Sequence, residues 1–138
     1  MACMGVDWKG HKMTEKHPKH GAKNLKLFQL AYQLSLEIHR ESMGWDKREQ
    51  FNGVAGQLQR SSKSICANLV EGYAKKSTKK DTLHFIHVAR GSLAETILWC
   101  DYAKDLNLAS EALSDDWALR YEEVSGLLSG FREWIIKQ

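Results

Sequence analysis

The sequence predicts an all-α protein, an antiparallel up-down-up-down four-helix bundle that assembles into an oligomer. Three observations predict it. Pro18 is the one proline in 138 residues, so everything after it is free of the strongest helix breaker. Apolar residues recur at alternating steps of three and four through four long segments, which is the spacing of one helix face. The breaks between those segments are brief, as antiparallel neighbours require. A hydrophobic content of 43% is enough for one core, so a single domain is expected.

Residues 1–23 carry Lys9, Lys12, Lys16, Lys19 and Lys23 with His11, His17 and His20, and too few apolar side chains to bury anything. They read as a basic, disordered N-terminal arm, with Met4 and Met13 as alternative starts. The bundle spans residues 24–138. Asn24 is a candidate cap for the first helix, in which Leu27, Leu30, Leu34 and Ile38 form one stripe. Leu25, Phe28, Tyr32 and Ser35 form a second stripe beside it, so this helix is apolar on more than one side. It should end near Met43, with Gly44 as a C-terminal cap.

The second helix is expected from about Arg48 to Lys75, with Leu58, Ser61, Ile65, Asn68 and Gly72 on its seam. Three of those five are small or polar, which lets a neighbouring helix come close. Ser77-Thr78 offers a cap for a third helix from about Lys79 to Leu106, with Ile86, Ala89, Leu93, Ile97, Cys100 and Ala103 facing inward. Asn107 begins the next break. Ser110 then caps a fourth helix whose inward residues are Leu113, Trp117, Val124, Leu128, Phe131 and Ile135.

Counting Lys and Arg against Asp and Glu, the net charge of +3 belongs entirely to the arm, because positive and negative residues balance in the bundle. Alternating helix directions nonetheless gather the arm, the turn with Lys75, Lys76, Lys79 and Lys80, and Arg132 and Lys137 at one end. Asp101, Asp105, Glu111, Asp115 and Asp116 gather at the other. A basic end beside a basic arm suits phosphate backbones, so Lys75, Lys76, Lys79 and Lys80 are candidate nucleic-acid contacts, with Lys16, Lys19 and Lys23 as a flexible tether. Arg60 lies about as far before the turn as Glu95 lies after it, and the two are expected to form an interhelical ion pair that fixes register. Glu71 could pair with Lys75 one turn on. Asn68 completes this set of structural, interhelical candidates.

The segment QLQRSSKSICANLVEG (residues 57–72), the basic stretch YAKKSTKKD that follows and FIHVARGSLAE (residues 85–95) carry a family resemblance. They resemble the bacterial four-helix-bundle proteins encoded in intervening sequences of 23S ribosomal RNA genes, a family related to the accessory variability proteins of diversity-generating retroelements. The family pattern is approximately Q-L-R-R-A-x-x-S-I-P-x-N-I-A-E-G, a basic turn, then F-x-x-x-A-x-G-S-L-A-E. Gln59 stands in place of the first arginine and Cys66 in place of the proline, so this helix should be straighter than the family's. The resemblance implies a homo-oligomer, commonly a pentamer, and, on the retroelement branch, a reverse transcriptase as partner.

Enzymatic readings find no support in the residues. No Glu is followed by His at the di-iron spacing, and no GxSxG, P-loop or HExxH motif occurs. His84 and His87 near Asp81 make only a weak metal perch. Cys3, Cys66 and Cys100 show no paired spacing, and Cys66 and Cys100 read as small core residues. No cofactor is implied. No apolar run has the length of a membrane span or a signal peptide, so a cytoplasmic protein is expected. The apolar excess of helix one, with Trp8, Trp45, Trp99, Trp117 and Trp134, exceeds what one bundle hides and points to self-association. The expected function is non-enzymatic: an accessory protein that binds RNA or DNA through a basic rim. A protein-interaction scaffold that binds no nucleic acid is the competing class.

Overall fold

The computed structural model describes residues 22, 25–74 and 78–138, and among them it is all-α, with four helices and no strand. Helix α1 spans Lys26–Ser42, α2 Val54–Ala74, α3 Lys79–Asp105 and α4 Glu111–Ile136. A short 3-10 turn, Lys47–Glu49, lies between α1 and α2.

Local chemistry explains most of the helix ends. At the start of α1 the cap position is Leu25, which offers no side-chain bond, and the expected cap Asn24 lies outside the described residues. Helix α1 closes at Met43, and the Gly44 N–H reaches the Glu41 carbonyl at 3.2 Å. Thr78 caps α3 by accepting from the Asp81 N–H at 3.1 Å. After Asp105 the chain turns at Asn107, whose φ of 58° is the left-handed conformation that asparagine tolerates. The Asn107 N–H then reaches the Lys104 carbonyl and the Leu108 N–H the Ala103 carbonyl, the paired bonds that close a helix on a left-handed residue. Ser110 opens α4 by accepting from Leu113 N–H at 3.1 Å. Replacing Ser110 with alanine is expected to cost about 1 kcal/mol, read as a lower urea midpoint at unchanged slope.

Helix α2 starts six residues later than the sequence suggests. Asp46 accepts from the Arg48 N–H and holds the Arg48 guanidinium at 3.1 Å, which starts the 3-10 turn instead. The Glu49 carboxylate then folds forward onto Val54 N–H at 2.8 Å. There it satisfies one of the orphan donors of α2 and faces the positive end of the helix dipole.

The helices pack as neighbours α1–α2, α2–α3, α3–α4 and α1–α4, closing around one core. Helices α2 and α3 approach most closely. The Thr96 hydroxyl bonds Ser61 Oγ at 2.9 Å, Ser64 and Ser92 share a bond of 2.8 Å, and a methyl at Gly72 would lie 3.1 Å from Phe85 Cβ. Positions climb along α2 as their partners descend along α3. Of the expected α2 seam, Leu58, Ser61, Ile65 and Gly72 are buried and Asn68 is half-buried.

On α3 the fully buried position is Thr96 and not its neighbour Ile97, because Ser61 and the Ser92 carbonyl satisfy its hydroxyl. On α4 Trp117, Val124, Leu128, Phe131 and Ile135 face inward, while Leu113 is half-buried. Tyr121 fills the gap in that stripe and is fully buried. On α1, Tyr32 of the second stripe remains half-exposed.

Candidate nucleic-acid interface

The end of the bundle where α2 leads into α3 carries the candidate lysines. Lys79 and Lys80 sit exposed in the first turn of α3, directly after the Thr78 cap. Lys79 Nζ donates to the Ile136 carbonyl at 3.2 Å, so the first turn of α3 lies beside the C-terminal end of α4. A cation there meets the negative end of the α4 dipole. Lys80 makes no hydrogen bond or ion pair among the described residues, while Arg132 lies 3.8 Å from Glu133 and Lys137 is exposed. Asp81 adds one negative charge to the same turn. Lys75, Lys76, Lys16, Lys19 and Lys23 lie outside the described residues.

The expected Arg60–Glu95 ion pair is not formed; no ion pair joins them among the described residues. The two are level, since the Ser61–Thr96 contact lies beside them, but they point to different partners. Arg60 Nη1 donates to the Phe51 carbonyl at 2.9 Å, and Glu95 accepts from Trp99 Nε1 at 3.2 Å. Distance from the turn fixes height along a helix and leaves rotation about its axis open. Asn68 donates within α2 to the Ser64 carbonyl at 2.8 Å and lies 3.2 Å from its hydroxyl, so it braces the α2 side of the Ser64–Ser92 contact. Glu71 is exposed, and the Lys75 proposed as its partner lies outside the described residues.

The opposite end is mixed in charge. Lys104 bridges Asp115 at 2.9 Å and Glu111 at 3.9 Å, and Arg120 joins Glu37 to Asp116. The hydrogen bonds that Lys104 donates to Asp115, and Arg120 to Glu37 and Asp116, raise the pKa of both cations. Lys47 and Arg48 stand exposed on the α1–α2 connection, which the acidic reading of this end had left out. Arg48 holds the Asp46 carboxyl below the usual carboxylate range through its side-chain and backbone hydrogen bonds.

Sequence reasoning missed a knot of amides beneath this connection. Gln50 Nε2 donates to the Ser42 carbonyl at 2.8 Å and the Trp45 carbonyl at 3.0 Å. Gln59 Nε2 donates to Ser42 Oγ at 2.9 Å and to Gln50 Oε1 at 3.3 Å. Gln59 is the residue that stands where the resembled pattern has arginine, and that departure was the available signal. Cys66, at the proline position, lies inside an uninterrupted α2. His84 packs edge-on against Phe85, and among the described residues no cluster of His, Cys, Asp or Glu could hold a metal ion. No described helix is long and apolar enough to cross a membrane.

Four helices around one core, joined at one end by a lysine-bearing connection, define a small all-α bundle protein. The family described as 23S rRNA-intervening sequence protein matches residues 23–130, and the chain belongs to that family. A comparison with curated proteins finds no match.

Proposed function

We propose that the protein is a non-enzymatic, cytoplasmic accessory protein that binds nucleic acid backbones through the lysine-bearing end of an antiparallel, up-down-up-down bundle. The observation that carries this reading is the Lys79 contact to the Ile136 carbonyl. It puts Lys79 and its neighbour Lys80 at the end of the bundle where α4 ends with Arg132 and Lys137, and Lys75 and Lys76 precede them in the sequence by a few residues. Lysine side chains on a helix end contact phosphates without reading sequence, so RNA and DNA are both substrates of such a surface. Assembly into a homo-oligomer repeats the modest patch around a rim and multiplies its attraction for a polyanion. Five copies, and a reverse transcriptase as partner, follow from the resemblance to the retroelement accessory proteins alone.

The test is binding of single-stranded RNA and duplex DNA across a salt series. With four phosphate contacts at the turn, changing Lys75, Lys76, Lys79 and Lys80 to glutamine should flatten the slope of log K against log salt by about 3. Binding that ignores both salt and these substitutions removes the reading. The scaffold alternative is favoured by the exposed apolar residues on α3 and between α1 and α2. It predicts assembly with no nucleic-acid binding at any salt.

A further inference from the structure

His84 and His87 stand outside the core, and their place on α3 aligns them with the cations of the lysine-bearing end. Lys80, His84, His87 and Gly91 follow at steps of four, three and four, so they share the outward stripe of the helix. All four are exposed, and so is Arg90 beside them. Arg90 lies three turns on from Lys79 and on the same side of α3 as that lysine, whose ammonium reaches α4. From Lys80 to Arg90 the row climbs about 15 Å along the helix, with neighbours about 5–6 Å apart at Cβ.

Carboxylates are kept to the side of this row. From Lys80 to Ala94 the one acidic residue of α3 is Asp81. It lies one turn before Phe85, the residue that approaches Gly72, and so stands on the side of α3 that packs against α2. Because Gly72 meets Phe85, Glu71 of α2 is level with the two histidines, but it lines a surface with Phe28 and Tyr32 of α1 and faces that way. Because Ile136 receives Lys79, Arg132 and Glu133 of α4 are level with them too, and these two lie 3.8 Å from each other. Opposite Arg90, α4 presents Ser125, Gly126 and Ser129, exposed and uncharged. Glu95 on α3 and Glu122 on α4 mark the far end.

We propose that the nucleic-acid surface continues up α3, with Lys80, His84, His87 and Arg90 following a phosphate backbone and the two histidines tightening the grip as pH falls. This rests on the binding proposed for the lysine-bearing end and extends its footprint. Arg90 offers a permanent charge whose planar fork suits phosphate. Histidine takes up its proton between about pH 8 and pH 5, so His84 and His87 turn from neutral side chains into cations over that range. Each further cation that neutralises a phosphate releases counterions and steepens the salt dependence. The row reads no bases, and RNA and DNA share the chemistry it recognises.

Salt series on the full chain at pH 8 and pH 5.5, with single-stranded RNA and with duplex DNA, test this. The wild-type slope of log K against log salt should be steeper at pH 5.5 by about 1 or more. The double variant His84→Gln/His87→Gln should lose most of that gain, which separates this pair from His39 and from His11, His17 and His20 of the arm. Arg90→Gln should flatten the slope by about 1 at both pH values. Gly91→Lys, on the same stripe where added atoms meet open space, should steepen it by about 1. All of these positions are exposed, and thermal melting at both pH values checks that each variant folds. A wild-type slope in Arg90→Gln or Gly91→Lys, or a pH gain that survives the loss of both histidines, overturns the row while binding at the lysine turn stands. A wild type that binds neither RNA nor DNA at any salt removes both.

Discussion

Replacing Gly56 with alanine is expected to destabilise the fold by about 3 kcal/mol or more, at the upper end of what overpacking costs. Gly56 lies buried in the first turn of α2, beneath the connection from the 3-10 turn. A methyl group there would collide with the Phe51 carbonyl oxygen and come within 2.5 Å of the Gln50 carbonyl oxygen. Both are backbone atoms, so no rotamer change relieves the clash. The connection is also pinned. Gln50 holds the Ser42 and Trp45 carbonyls, and Arg60 holds the Phe51 carbonyl itself. To admit the methyl, the segment must lift from α2 and give up several of these bonds at once. Urea unfolding should show a large drop in midpoint at unchanged slope. Gly91 and Gly126 supply the control, since a methyl at either meets nothing within 4 Å. Alanine there should stabilise its helix by up to about 1 kcal/mol. A Gly56→Ala variant within about 1 kcal/mol of the wild type would show that the connection moves freely.

The same connection marks where the sequence stops being legible. The starts of α3 and α4 could be read because Thr78 and Ser110 cap by bonds three residues away, and a three-residue interaction is visible in the chain itself. The start of α2 could not. Lys47, Arg48 and Glu49 are ordinary helix formers, and what removes them from α2 is the Glu49 carboxylate reaching five residues on and a backbone seated against Gly56. For Arg60 and Glu95 the chain predicted height correctly and rotation wrongly. The small seam of α2 was legible as a close approach, but its chemistry, hydroxyls paired across to Ser92 and Thr96, needed both helices in place. Lys79 and Lys80 were identifiable as turn cations, whereas the Ile136 carbonyl that receives Lys79 lies 57 residues away in the chain.

Alkaline pH should unfold the protein steeply, and the two buried thiols set the onset. Burial pushes Cys66 from the usual 9.0 up to about 11, partly offset by a hydrogen bond with Ser35. Burial, with the nearby Asp101 charge, pushes Cys100 up to about 12. Burial also raises the phenols of Tyr73 and Tyr121. In each case the unfolded chain gives up its proton at a lower pH than the folded one. The unfolded state therefore binds fewer protons above about pH 9, and the slope of stability against pH is negative there. Below the unfolded thiol pKa both states keep their protons, and these groups contribute no pH dependence. Each thiol removes up to about 1.4 kcal/mol per pH unit while it is ionised only in the unfolded chain, and with partial titration at both ends of the window the pair removes roughly 4 kcal/mol between pH 9 and pH 11. That rivals the whole stability of many small domains. Urea unfolding under reducing conditions at pH 8, 9, 10 and 11 measures it. Cys100→Ala should start from a lower stability, because it leaves a cavity, yet lose about 1.4 kcal/mol less per pH unit across that window. Equal slopes in variant and wild type would mean that Cys100 reaches solvent in the folded protein and ionises there as readily as in the unfolded chain.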